Sequence, residues 1–329
     1  MAEKHGSKLA DILSGLLDEE NIVFGHGGDD ALSGGKLADL LRGGKGADQI
    51  VAGRGDDNVY GDSGDDIIKG TVGNDRVLGG EGNDVLSGGK DNDVLAGGKG
   101  SDVLDGNSGD DVMSGGSGND VLYGMSGDDW LFGGKGDDRV FGGSGDDVVV
   151  ASSGKDYYSG GTGNDELDFS LVVGKVDVDL GRHTAKVSFG KDVVTDSVSG
   201  FETVIGGNSA DKFMGDRNAQ HFNGGAGNDW FRGNLGSDTL TGGAGADIFA
   251  YLKKDTAGGS VDTITDFQVG VDHLDMKDFL KGKASTANEV RFVDGGGDTI
   301  VQGNVKGAWV DVVSLKGVDV HDVGYDILT

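Results

Sequence analysis

From Gly25 to Asp168 the chain repeats every nine residues with no insertion, and few folds can accommodate such a register. It opens with Gly25–Ser33 and Gly34–Arg42 and closes with Gly160–Asp168, sixteen nonapeptides over 144 residues. The sixth position is aspartate in every copy: Asp30, Asp39, Asp48, Asp57, Asp66, Asp75, Asp84, Asp93, Asp102, Asp111, Asp120, Asp129, Asp138, Asp147, Asp156 and Asp165. The eighth is apolar or aromatic in every copy, from Leu32, Leu41 and Ile50 through Met113 to Tyr158 and Leu167. Full copies such as Gly79–Ser87 read G-G-x-G-x-D-x-U-x, where U is apolar.

Each repeat is expected to join a six-residue glycine-rich turn to a three-residue strand, whose out-in-out alternation buries the eighth residue. No single coil can bury its face alone, so coils must stack. Two nonapeptides make one coil of 18 residues, and eight coils at about 4.8 Å spacing make a stack of roughly 40 Å. The expected fold is all-β, a right-handed parallel β-roll. Stacking also sets the sixth-position aspartates in two columns. Carboxylates about 5 Å apart at an effective dielectric near 20 repel by roughly 3 kcal/mol a pair. Summed over the columns this reaches tens of kcal/mol, against a whole-protein stability of about 5–15 kcal/mol. A hard divalent cation between coils reverses the sign. Oxygen-only ligands from carboxylates and loop carbonyls suit Ca²⁺ better than Mg²⁺, which prefers octahedral sites with retained water. Roughly fifteen Ca²⁺ would nearly cancel the formal charge of −29.

That charge argues against a nucleic-acid partner, because phosphate repels it. With 67 glycines and no proline the composition is extreme, but a period of nine and a buried eighth position exclude collagen and disorder. Cysteine is absent, so disulfides and thiolate zinc sites are excluded and the redox compartment is left open. The first residues lead into no apolar run, so a Sec-type signal peptide is not expected. No stretch approaches the roughly 18 apolar residues of a membrane span.

Residues 1–24 read as an N-terminal cap, with Asp11-Ile12-Leu13 and Asn21-Ile22-Val23 as degenerate repeat tails. A short amphipathic helix over Lys8–Leu17 is the alternative. Residues 169–205 leave the register. Val176–Leu180 and Ala185–Phe189 flank a turn at Gly181–Thr184 and predict a β-hairpin, followed by a remnant repeat at Ser197–Ile205. Five further repeats, a second short roll, occupy residues 206–250, with sixth positions Asp211, Gln220, Asp229, Asp238 and Asp247. Their eighth positions are Phe213, Phe222, Phe231, Leu240 and Phe249. Gln220 should mark a weak or absent cation site. Residues 251–329 read as a separate β-rich domain, with strands around Asp262–Phe267 and Trp309–Val313.

The nonapeptides resemble the RTX (repeats-in-toxin) proteins over 189 of the 329 residues. The resemblance implies that each Ca²⁺ is shared between a loop and the loop one coil further on. It also implies export by a type I secretion machinery reading an uncleaved C-terminal signal. Asp262–Phe267 with Val271–Asp275 resembles the segment that follows the last repeat in such proteins, and Asp326-Ile327-Leu328 resembles their terminal ending. The large effector domain that usually precedes the repeats has no counterpart here.

Signatures of catalysis are missing. There is no H-E-x-x-H, and the six histidines have no metal spacing. There is no G-x-S-x-G. Gly61–Gly64 mimics a serine-protease signature and Arg54-Gly55-Asp56 an adhesive tripeptide, yet both lie in register inside repeats. Third positions vary too much for an ice-binding ladder. Outward positions seven and nine carry Tyr123, Trp130, Phe132, Phe141 and Tyr157, which suit contact with the flanking segments or a patch for self-association or glycan. The expectation is a non-enzymatic, secreted, calcium-binding protein of the extracellular matrix or cell surface, folding on millimolar Ca²⁺ outside the cell. The alternatives are the secretion and docking module of a polysaccharide-modifying enzyme, with exopolysaccharide as its partner, or an adhesin- or toxin-like effector.

Overall fold

The computed structural model describes residues 1–189, 192–280 and 289–328. It is nearly all β, and its contacts divide it into two units, Met1–Leu167 and Asp168–Thr329.

The first unit is a parallel β-roll. Strands alternate between two sheets, and each pairs with the strand one coil on, in a register of 18 residues: Leu86 lies beside Leu104, and Leu95 beside Met113. Eighth-position side chains from both sheets meet between them, with Ile68, Val77, Leu86, Leu104, Leu122 and Leu131 all at 0 % exposure. At roughly 25 cal/mol per Å² of apolar surface removed from water, these rows carry the fold.

Strands are longer than the period suggests. Most run six residues, as in Val85–Lys90 and Val103–Ser108, from position seven of one repeat to position three of the next. The ladder skips the glycine at position one and resumes at positions two and three, where Gly89 pairs with Asn107 and Lys90 with Ser108. The loop proper is therefore three residues, not six. A backbone of positive φ at position two, such as Gly89 at 125°, turns the chain without ending the pairing.

At the N-terminus, Ala2–His5, Ile12–Ser14 and Asn21–Gly27 are strands. Ile12 pairs with Ala31 and Ala2 with Asn21, at a spacing of 19 instead of 18. There is no helix over residues 8–17. The extra residue of these degenerate repeats is absorbed before the first full one.

In the second unit, Lys175–Asp179 and Thr184–Phe189 form the antiparallel hairpin, joined by a short 3₁₀ turn at Leu180–Arg182 and a left-handed His183 (φ 58°). A third antiparallel strand, Asp192–Ser199, extends it and takes in the start of the stretch read as a remnant repeat. Thr203–Ile205 returns to the parallel register, with Val204 beside Phe222. The second roll has strands of three residues, and its core is a phenylalanine stack: Phe213 and Phe231 lie 5.1 Å apart, Phe231 and Phe249 5.0 Å. Asp262–Ile264 and His273–Asp275 then continue its two sheets, pairing Ile264 with Leu240 and Leu274 with Phe249. Three antiparallel strands, Val290–Asp294, Thr299–Val305 and Ala308–Leu315, complete the unit, with Leu315 beside Ile264. Of the terminal residues, Ile327 is buried and Leu328 bridges to Leu274; Thr329 lies outside the described residues.

Candidate metal centre

The sixth-position aspartates are buried to within 3 % of full enclosure, an uncommon place for a carboxylate. One oxygen of each is used by the fold. From Asp30 to Asp147 the backbone N–H of each aspartate donates to Oδ1 of the aspartate one coil on: Asp48 to Asp66 at 2.8 Å, Asp66 to Asp84 at 2.9 Å, Asp84 to Asp102 at 2.8 Å. The other column runs likewise, from Asp39 to Asp57 at 2.7 Å through Asp129 to Asp147 at 2.9 Å. Asp11 and Asn21 feed their N–H groups into the starts of the two columns, onto Asp30 and Asp39.

The second oxygen has no such use. Oδ2 is buried without a hydrogen-bond partner in Asp30, Asp48, Asp57, Asp66, Asp75, Asp84, Asp93, Asp102, Asp111, Asp120, Asp129, Asp138 and Asp147. In the second unit the same is true of Asp229, Asp238 and Asp247. In each of these repeats except that of Asp57, where Ala52 stands at position one, the oxygen lies against the bare Cα of the first glycine. A Cβ on Gly43 would stand 2.2 Å from Oδ2 of Asp48, and one on Gly61 2.3 Å from Oδ2 of Asp66 and 2.6 Å from the Gly79 carbonyl oxygen. Glycine at position one thus leaves a polar cradle lined by a carboxylate oxygen and by the carbonyl of the next coil.

Burial pushes these acids upward. Desolvation raises Asp57, Asp66, Asp93, Asp129, Asp138 and Asp229 to about 7, and Asp48, Asp75, Asp84, Asp111, Asp120, Asp147 and Asp247 to about 6. The backbone N–H bond pulls each partly back, and neighbouring acids in most cases push further up. An unpartnered buried carboxylate oxygen costs several kcal/mol unless a proton or a cation joins it. Among the described residues no three His, Asp or Glu side chains gather as a metal cluster. A cation here would take one or two carboxylate oxygens and several backbone carbonyls, a donor set that fits a hard ion of high coordination number.

The signature of the RTX calcium-binding nonapeptide repeat matches residues 6–41, 33–68, 69–104, 105–140, 132–167 and 214–249, together well over half of the chain. The chain belongs to this RTX repeat family. Its repeats are calcium-binding, and the cradles described above are where that chemistry fits. None of the curated proteins matches the chain. Among solved structures it is similar to the extracellular lipase LipA of Serratia marcescens, at 16 % identity and a TM-score of 0.23 over 80 % of this chain and 44 % of the lipase. It is also similar to the R3 subunit of a mannuronan C5-epimerase from Azotobacter vinelandii, at 23 % identity and a TM-score of 0.19 over 37 % of this chain and 78 % of the subunit. This RTX chain therefore spans less than half of the lipase, and neither likeness carries an argument about activity.

Three expected ligands, Asp39, Asp156 and Asp211, and the expected weak position Gln220 differ from the rest. Oδ2 of Asp39 accepts the Gly35 N–H at 2.6 Å, and Oδ2 of Asp211 accepts the Gly207 N–H at 3.0 Å. Oδ2 of Asp156 accepts the Tyr158 hydroxyl at 2.7 Å. Gln220 donates its amide to Oδ1 of Asp216 at 2.6 Å, and its Oε1 accepts the Asp216 N–H at 3.3 Å. Two acids were missed. Asp262 accepts the Asp238 N–H at 3.1 Å and Asp272 the Asp247 N–H at 3.0 Å, so both prolong the columns beyond the last repeat. Burial and the neighbouring Asp238 push Asp262 upward. The signal was present in Asp262-Thr263-Ile264 and Asp272-His273-Leu274, each an aspartate two residues before an apolar one, but spacings of 24 and 25 hide it from a search at 18.

Proposed function

We propose that this RTX protein is a secreted, non-enzymatic β-roll that acquires its fold on calcium outside the cell and serves as matrix or surface-associated material. The observation that carries the calcium-dependent part is the file of buried, unpartnered Oδ2 atoms along both columns. Bound Ca²⁺ would supply the positive charge and the oxygen-hungry coordination those atoms lack. The chain's own groups do the rest: the N–H-to-Oδ1 ladder fixes each carboxylate, and the position-one glycine keeps its cradle open. At cytosolic calcium the columns repel and favour an open chain suited to type I export. At millimolar calcium the same columns hold the coils together.

Circular dichroism of the full chain with Ca²⁺ and then with excess EDTA tests this. We expect a β-rich spectrum that collapses on chelation and returns with calcium; a spectrum indifferent to EDTA refutes the reading.

One feature favours a second role, docking on polysaccharide. Tyr123 and Phe141 stack at 5.2 Å with an 11° interplanar angle, Tyr157 follows at 5.3 Å, and the Arg139 guanidinium lies 5.6 Å and 5.8 Å from the latter two rings. A stacked Tyr123–Phe141 pair, with Tyr157 tilted by 43° beside it and a cation next to the row, suits the faces of sugar rings and acidic substituents. Loss of sedimentation with calcium-loaded exopolysaccharide in Tyr123→Ala/Phe141→Ala would support docking, and unchanged sedimentation would remove it.

A further inference from the structure

The loops exist in two backbone states, and the state predicts whether the sixth-position oxygen has a partner. In every repeat whose Oδ2 is unpartnered, the residues at positions two and four both have positive φ: Gly44 and Gly46 before Asp48, Thr71 and Gly73 before Asp75, Asn234 and Gly236 before Asp238. This is an open loop. Its position-two N–H does not donate to the carboxylate, and its Oδ2 looks into the cradle.

A closed loop takes the other course. Position two leaves the left-handed region, and its N–H swings inward onto the sixth side chain. Gly35 does this to Asp39, Gly207 to Asp211 and Asp216 to Gln220. Ser7 does it to Asp11 at 2.6 Å and Gln268 to Asp272 at 2.8 Å, in the degenerate repeats at either end. At Asp156 the link runs through a relay: the Ser152 N–H donates to the Tyr158 hydroxyl at 3.0 Å, which donates to Oδ2 at 2.7 Å.

Position four explains the choice in three of the closed loops, whereas the Asp156 and Asp272 loops close with left-handed glycines there, Gly154 (φ 143°) and Gly270 (φ 81°). The open state needs left-handed φ at position four, which open loops fill with glycine, or once with Asp91 (φ 75°). The closed loops at Asp39, Asp211 and Gln220 carry Leu37, Ser209 and Asn218 there, and none of the three has positive φ. A branched or bulky side chain resists that conformation. In the Asp156 repeat position four is Gly154, but Ala151 and Ser152 replace the first two glycines and Tyr158 brings a hydroxyl into the core.

We infer that loop closure decides which repeats hold an ion: the Asp39, Asp156, Asp211 and Gln220 repeats satisfy their own sixth side chain and take no Ca²⁺ on it, despite three of them carrying the aspartate. The closed loops are metal-independent breaks in the calcium ladder, at the start and end of the first roll and the start of the second. This rests on the calcium-binding reading above. The relevant substitution is Leu37→Gly, which frees position four in a loop that already has Gly34 and Gly35.

Native mass spectrometry of the full chain at saturating calcium, beside Leu37→Gly, counts the ions directly. We expect the variant to hold at least one ion more than the unaltered chain. An equal count overturns loop closure while leaving calcium binding intact; an unaltered chain that holds no calcium overturns the functional reading instead. Calcium anomalous scattering from crystals of the unaltered chain decides the matter without any variant. Peaks are expected at Oδ2 of Asp48, Asp57 and Asp66 and none at Oδ2 of Asp39, Asp156 or Asp211, and a peak at any of the last three refutes the inference.

Discussion

Acid should do part of what calcium does. Without divalent ions, Asp48 has a folded-state value of about 6 and Asp57 of about 7, against an ordinary 3.8. The folded state therefore binds protons more tightly than the unfolded one. Their contribution is harmless below about pH 4, where both states are protonated, and stability is lost progressively as pH climbs from about 4 to about 7. A rise from 3.8 to about 7 corresponds to about 4 kcal/mol per group above pH 7. Asp57, Asp93 and Asp129 share one column and are each raised that far, so these three alone rival a typical folding stability of about 5–15 kcal/mol. The perturbation is an EDTA-treated chain titrated from about pH 7.5 down to about pH 4.5, followed by far-ultraviolet circular dichroism. We expect a disordered chain at the upper end that gains β structure as the carboxylates protonate, beside a calcium-loaded control that is β-rich at neutral pH. A chelated chain already β-rich at pH 7.5, or one that loses β structure on acidification, would refute the reasoning.

Core, backbone and charge give three further expectations. Leu104→Ala, at a fully buried eighth position, should cost about 2–5 kcal/mol in the calcium-loaded protein, read as a lower urea midpoint. Thr71 is a β-branched residue at φ 99°, so Thr71→Gly should stabilise the loaded roll by about 1 kcal/mol or more through relief of that conformation, read as a raised midpoint. In the second unit the Arg232 guanidinium makes two bonds to Asp255, at 3.1 Å and 3.0 Å, with both side chains largely buried. Arg232→Ala should leave Asp255 buried and unpaired at a cost of about 3–5 kcal/mol, and a melting temperature unchanged in calcium would contradict that.

Periodicity made the roll legible because it encodes burial and repulsion together. An apolar residue two places after each aspartate fixes which side faces inward, and the 18-residue coil then stacks the acids on one another. That logic reached the parallel pairing, the buried rows of Leu86 and Leu104, and the stacking of the carboxylates in two columns, but not their enclosure. It fell short where the backbone, not the side chain, carries the information. The six-residue strands of the first roll run through left-handed residues at position two, which include His26, Asp62, Asn107 and Met125 and so leave no glycine to read. The third strand of the hairpin, Asp192–Ser199, was hidden because its end had been counted toward a repeat.

The same division explains why aspartate alone is a poor marker of an ion site. Asp39 and Asp57 sit in one column with the same burial and the same Oδ1 bond from the coil before, the Asn21 N–H at 2.6 Å and the Asp39 N–H at 2.7 Å. They differ in what meets Oδ2, and the loops diverge two and four residues upstream: Leu37 and Gly35 before Asp39, left-handed Gly55 and Gly53 before Asp57. A carboxylate in this fold is a ligand only when its own loop cannot reach it. The glycines are therefore as much a part of the metal chemistry as the acids: they hold the position-two N–H away from an oxygen it would otherwise bind.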